Sequence, residues 1–238
     1  FNGNAHDESG NGNHATVHGA MVTNMGCNGG GYDFDGDNDY MNLGAATKQT
    51  GPFTVSMWFT YELEENRRVS LYGGGGLDTN VDRNGIAISR YTDDRLFFDL
   101  YTGSHRHAVW LNRSENDYMD GRWHHVVCTY DGQRMGMFVD GVLTDWGWRD
   151  VGSVAVNWSW VEHYLGRRAE GGGSSLDWYW QGKMDEVRIY DRGLSVAEIL
   201  ELNQQDAPPP PPDTTSGLLL HYAFDDDHGS SVVDSSSF

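Results

Sequence analysis

Apolar residues recur at every second position through most of the chain, in short runs broken by Gly, Asn and Asp. Residues 53–59, Phe-Thr-Val-Ser-Met-Trp-Phe, are aromatic and β-branched and predict a strand. The pattern continues over 67–72, and the glycines at 73–76 predict a turn open to positive φ. Residues 85–91 and 95–101 predict a hairpin about Thr92-Asp93-Asp94. Residues 124–130 and 134–139 predict a second about Asp131-Gly132, a pair suited to the left-handed backbone of tight turns. Residues 32–43 read as strand, acidic turn and strand, and 162–167 as a further strand. Residues 1–30 carry few apolar repeats and read mostly as loop.

Toward the C-terminal end, Met184, Glu186, Arg188 and Tyr190 alternate with Asp185, Val187 and Ile189, so 184–190 predicts a strand. Ser195 and Glu198 have the spacing of a capping box, with Leu194 and Ile199 placed as a hydrophobic staple; a helix is expected from Ser195 to about Leu202. Short strands at regular spacing with one short helix predict an all-β, two-sheet antiparallel jelly-roll sandwich with a short C-terminal helix. The domain is expected over 1–205. Residues 206–217 follow as a linker whose five prolines, Pro208 to Pro212, favour a stiff polyproline II spacer.

Charge narrows the partners. Lys and Arg total 16 against 35 Asp and Glu, a formal net charge of −19, which opposes nucleic acid and anionic membrane surfaces. It suits a soluble extracellular protein and binding of divalent cations. No apolar run is long enough to span a bilayer. The two cysteines, Cys27 and Cys128, leave open a disulfide or two buried thiols.

Three ordered segments carry a family resemblance: Asp7-Glu8-Ser9-Gly10-Asn11-Gly12-Asn13-His14; Trp123-His124-His125-Val126-Val127 with Val139-Asp140-Gly141; and the strand, turn and helix start from Gly182 to Ile199. Together they resemble a bacterial laminin-G-like, concanavalin-A-like lectin/glucanase jelly roll, over residue 1 to about 202. The resemblance implies that strand 184–190 pairs with the first strand of the domain, which this sequence would lack. Residues 218–224, Leu-Leu-Leu-His-Tyr-Ala-Phe, resemble that strand at the start of a second copy, and Asp234-Ser235-Ser236 echoes Asp7-Glu8-Ser9. Docking of 218–224 beside 184–190, in its own domain or in a neighbouring molecule, is the resulting expectation, since sheets avoid exposed apolar edges.

Candidate chemistry falls into three groups. Asp7, Ser9, Asn11 and Asn13 alternate on a Gly-bent loop and could offer oxygens to a structural Ca2+; the resemblance places this loop by the closing strand, adding Asp185. Asp33, Asp35, Asp37 and Asp39 form a second acidic group, more simply read as a solvated turn. Trp146, Trp148, Trp158, Trp160, Trp178 and Trp180 lie in Gly-, Asp- and Ser-rich stretches where exposed indoles could stack on sugar rings. Tyr179 lies between the last two, which alternation would put on one face. His105, Arg106 and His107 beside Trp110 make a mixed patch suited to an acidic or sulfated glycan. Rings packing on one another at the sandwich rim are the competing explanation.

Catalysis has little support. A retaining hydrolase needs two carboxylates about 5 Å apart, usually on alternate strand residues, and no such strand pattern occurs. Tyr101, His105 and Arg106 could be assigned lyase roles only without specific support. His124 and His125 would point to opposite faces of a strand and are expected to serve packing. The expectation is therefore a non-catalytic, calcium-stabilised, secreted or cell-surface module that binds a polysaccharide or glycoconjugate. Protein–protein adhesion with neighbouring repeats is one alternative, and a polysaccharide-degrading jelly roll another.

Overall fold

Alternation sorts the strands into two antiparallel sheets. The computed structural model describes residues 3–44, 51–61, 67–76, 83–103, 105–112, 118–144, 146–154, 156, 162–168 and 178–208. In chain order the strands are β1 (Thr16–His18), β2 (Met21–Gly26), β3 (Gly29–Asp35), β4 (Tyr40–Gly44), β5 (Phe53–Phe59), β6 (Val69–Gly76), β7 (Arg83–Arg90), β8 (Arg95–Gly103) and β9 (His105–Asn112). They continue with β10 (His124–Tyr130), β11 (Arg134–Val139), β12 (Val142–Leu143), β13 (Arg149–Asp150), β14 (His163–Leu165) and β15 (Gln181–Tyr190), before helix α1 (Val196–Gln205). One sheet runs β1-β4-β14-β6-β7-β8-β9; the other runs β12-β11-β10-β5-β15-β3-β2, with β13 beside β11.

The core lies between the sheets. Ile86, Ile88, Phe98, Leu100, Val109 and Leu111 from one meet Phe53, Val55, Met57, Val126, Met137 and Met184 from the other. Thr54, Ser56 and Trp58 are also buried, on the second sheet's outer face, where α1 covers it. A separate apolar cluster of Val127, Phe138, Leu194 and Ile199 seats the helix. The capping box forms, Ser195 accepting from the Glu198 amide and the Glu198 side chain from the Ser195 amide, while Leu194 and Ile199 are both buried as a staple requires. The helix runs past Leu202 because Asp206, expected in the linker, is its C-cap and is held by Arg188 at 2.6 Å.

The structure departs from the sequence expectation in three places. Residues 1–30 hold β1, β2 and the start of β3, strands formed by pairing rather than by apolar content. In β15 the register slips between Asp185 and Arg188, with Glu186 at φ 49°. This bulge breaks the simple alternation, so Met184, Val187 and Ile189 all pack on the same core. Third, the glycines at 73–76 are not a turn but complete β6, paired with β7. Beside β15, β3 pairs through Gln181, Gly182, Lys183 and Met184. Among the described residues no strand continues that pairing past Met184. Residues 209–238, including the rest of the linker and segment 218–224, lie outside the described residues. Cys27 and Cys128 are both buried free thiols.

Candidate functional site

The outer face of the first sheet carries what the core does not need. Across β7 and β8, Ser89 faces Phe97 and Ala87 faces Asp99. Across β8 and β9, Phe97 faces Trp110, Asp99 faces Ala108 and Tyr101 faces Arg106. On β6, Ser70 faces Ser89 and Gly73 faces Ala87. Small side chains thus form a floor between larger ones. At Gly73 a Cβ would stand 2.8 Å from the Arg167 carbonyl oxygen and 2.9 Å from the Arg168 Cα, so glycine lets the chain after β14 lie directly on that floor.

Asp99, with no solvent exposure, anchors a polar cluster on this face. It accepts from Arg106 Nε at 2.8 Å and from the Tyr91 hydroxyl at 3.1 Å. Arg168, 4% exposed, donates to the Tyr91 hydroxyl at 3.1 Å and to the Tyr101 hydroxyl at 3.4 Å. Burial pushes the Asp99 carboxyl above its usual range, while Arg106, Arg168 and the Tyr91 hydroxyl pull it back. Burial likewise drives the Tyr91 phenol up, keeping it neutral and able to donate to Asp99. The half-exposed Arg106 guanidinium completes the pair.

Aromatic rings continue outward from the cluster. Tyr91 meets Trp178 edge-on at 5.2 Å and Phe97 at 4.5 Å; Phe97 meets Trp110 at 5.5 Å, and Trp110 meets Trp146 at 3.9 Å. Guanidiniums lie over these rings: Arg68 is 5.2 Å from both Tyr91 and Trp178, Arg168 is 4.2 Å from Trp178, and Arg95 is 5.6 Å from Trp110. Trp146, 48% exposed, ends the strip in solvent. Phe97 and Trp178 are buried as the base of the strip, while the partly exposed Tyr91 and Trp110 and the exposed Trp146 offer ring faces to a sugar beside fixed donors.

Of the residues singled out from sequence, Trp178, Trp146 and Arg106 meet on this face. Trp178 and Trp180 do not share a platform: Trp180 is fully buried in the core, donating to the Thr60 carbonyl at 3.1 Å, because residues 178–180 are not a strand. Tyr179 is half-buried near Arg167. Trp148 lies elsewhere, against Phe138 beside the helix-bearing face. His105 and Arg106 also part, since neighbours on β9 point to opposite faces; His105 stacks at 6.3 Å on His107. The lyase grouping of Tyr101, His105 and Arg106 fails for the same reason. Trp158 and Trp160 lie outside the described residues. Sequence reading missed Tyr91, Asp99, Arg68 and Arg168 as a group, and strand β9 itself. The alternation Arg106-Ala108-Trp110 against His107-Val109-Leu111 was the available signal for that strand.

The calcium expectation meets a poor fit. Asp7 accepts backbone N–H groups on both oxygens, from Ser9 at 2.8 Å and Asn13 at 2.9 Å, and Ser9 Oγ accepts from Asn11. Asp185 is buried and accepts from Cys27, Asn28 and Glu186. These oxygens face N–H and S–H donors instead of one shared point. Among the described residues no group of three or more His, Cys, Asp or Glu could hold a metal ion. At the acidic turn, Asp39 accepts the Asp35 amide and Asp35 the Asp37 amide, tightening a turn.

A serine–histidine–asparagine line also exists: Ser56 Oγ lies 2.8 Å from His125 Nε2, and His125 Nδ1 lies 3.2 Å from Asn203. Ser56 is completely buried and Trp58 stacks on the imidazole at 5.0 Å, so no substrate reaches the hydroxyl. It ties β5 and β10 to α1.

Comparison with known proteins bears on this geometry. A family model described as the concanavalin A-like lectin/glucanases superfamily matches residues 35–200. The chain belongs to this family. As a laminin-G-type member it also resembles human pappalysin-1, 28% identical over 110 residues, covering 43% of this chain and 7% of that protein. Among solved structures, domain 4 of AbnA, a GH43 extracellular arabinanase from Geobacillus stearothermophilus in complex with arabinotriose, superposes with a TM-score of 0.63 at 19% identity, covering 84% of this chain and 93% of that one. The ligand-binding domain of botulinum neurotoxin serotype D in complex with N-acetylneuraminic acid has a TM-score of 0.62 at 13% identity, covering 84% of this chain and 48% of that one. The laminin-G-type chain thus spans a small part of pappalysin-1 and about half of the toxin domain. At these identities the structures share its fold.

Proposed function

We propose that this protein is a non-catalytic carbohydrate-binding module that takes its ligand on the outer face of the first sheet. The observation that carries the reading is the aromatic strip from Trp178 through Tyr91, Phe97 and Trp110 to Trp146, set against the Asp99–Arg106–Arg168 cluster. Rings stacked on a pyranose or furanose give affinity, and fixed guanidinium and phenol groups give orientation. Support comes from fold neighbours crystallised with arabinotriose and with N-acetylneuraminic acid. An extracellular setting rests on the acidic surface and on the extracellular arabinanase among those neighbours. No described helix is long and apolar enough to cross a membrane.

Trp146→Ala tests the reading, because its exposed ring can go without opening the core. Calorimetric titration with the tightest-binding oligosaccharide of a panel is expected to show an affinity loss of about 3- to 10-fold, the size of one ring contact. Unchanged affinity would remove the strip as the site. Adhesion between protein modules is the second reading, favoured by Met21, Val22 and Met25, which stand exposed on β2 at the sheet edge.

A further inference from the structure

Resting on that reading, we infer that the sugar this face selects is anionic: a saccharide bearing carboxylate or sulfate groups, gripped by Arg68 and the outer edge of Arg106. Over the whole chain acidic groups exceed basic ones, 35 to 16. Around the Tyr91 ring the balance reverses. Arg68 and Arg106 lie over it at 5.2 Å and 5.5 Å, and Arg168 donates to its hydroxyl at 3.1 Å.

Among the described residues Asp99 is the one carboxylate bonded within this group, and it already receives Arg106 and Tyr91. Two guanidinium charges are left without an acidic partner there. Arg168 Nε is buried with no hydrogen-bond partner. Among the described residues Arg106 is bonded through Nε and Nη2, and Arg68 pairs with no carboxylate, its guanidinium held over Tyr91 and Trp178.

Arg68 and Arg106 are both exposed, so each guanidinium is held over a ring while its outer edge stays open to an anion from solvent. The donors are planar forks, matched to carboxylate and sulfate oxygens. They also stand beside the rings that would hold the sugar body, so charge and stacking act on one ligand. A membrane or nucleic acid surface fits less well, because the surrounding chain would repel an extended polyanion.

The test compares oligogalacturonate with its methyl ester, the same sugar without the charge, and adds heparin-derived and neutral oligosaccharides. Titrations of the full chain, of Arg68→Ala and of the control Arg122→Ala are read as Kd at low and high salt. The inference expects an acidic or sulfated ligand to bind at least about tenfold tighter than its neutral counterpart. Arg68→Ala should bring the acid-to-ester ratio close to one, with a smaller loss for the neutral ligand, while Arg122→Ala keeps the ratio of the unsubstituted chain. Whichever of the uronate and sulfate arms is stronger identifies the anion. Equal binding of acid and methyl ester overturns the inference while the sugar-binding reading stands. Equal losses in Arg68→Ala and Arg122→Ala also overturn it. Failure of every saccharide to bind removes the underlying reading as well.

Discussion

His124 and His125 stand on opposite faces of β10, and their surroundings move their titrations in opposite directions. Burial alone would lower the His124 imidazole, but its hydrogen bonds to the carboxylates of Asp140 at 2.8 Å and Asp120 at 3.1 Å outweigh it and raise it. Stability from His124 is therefore full below about 6.5 and is lost as pH rises through its folded value. Burial under α1 lowers His125 to about 4, against which the Asn203 contact is a weaker pull. Below pH 6.5 the unfolded chain takes up a proton that folded His125 refuses, so stability falls toward pH 4, by a total on the order of 3 kcal/mol. Urea unfolding at pH 7.0 and pH 4.5 should show a smaller acid loss in His125→Gln than in the unsubstituted protein. An identical loss would mean that His125 is not the buried neutral group described.

At the scale of elements, the Asp7–Asn13 loop supplies a test of calcium. Calcium binding by Asp7, Ser9, Asn11, Asn13 and Asp185 remains a proposal that would require a cation to displace the N–H donors now on Asp7 and Asp185. Both carboxylate oxygens of Asp7 are satisfied without metal, so EDTA is expected to leave the melting temperature unchanged. A fall of several degrees, restored by added calcium, would reinstate the ion. Elements also show what sequence could convey. The capping box and staple of α1 were legible because each is a local rule about four to six residues. The hairpins of β7–β8 and β10–β11 were legible because alternation and a short turn coincide. The bulge at Glu186 was not, since nothing local announces that two residues of β15 oppose one of β5. Trp180 was misplaced for a related reason: alternation was applied to residues 178–180, which are not a strand.

For the molecule as a whole, the two sheets divide the labour. The second sheet commits its outer face to α1 through Val127, Phe138, Leu194 and Ile199, and to the buried Ser56–His125–Asn203 line. The first sheet carries on its outer face the start of the chain after β14 and the rings, where the account places the ligand. Its members come from β8, β9, the turns at Tyr91 and Trp146, and residues 168 and 178. Sequence could not assemble that group, because register across β7, β8 and β9 and the crossing at Gly73 bring them together. Trp146, Arg106 and Trp178 were recognisable one by one as aromatic or cationic residues in polar stretches. Asp99 and Arg168 were not, since burial of a charge is visible only once the fold is built.

The most direct measurement is a two-dimensional amide and indole NMR titration of the isotopically labelled chain with the tightest-binding oligosaccharide. The account predicts shifts at the indole N–H groups of Trp146, Trp110 and Trp178 and at the amides of β8 and β9, with α1 and β2 unchanged. Shifts confined to Met21, Val22 and Met25 on the β2 edge, or to the helix-bearing face, would contradict it.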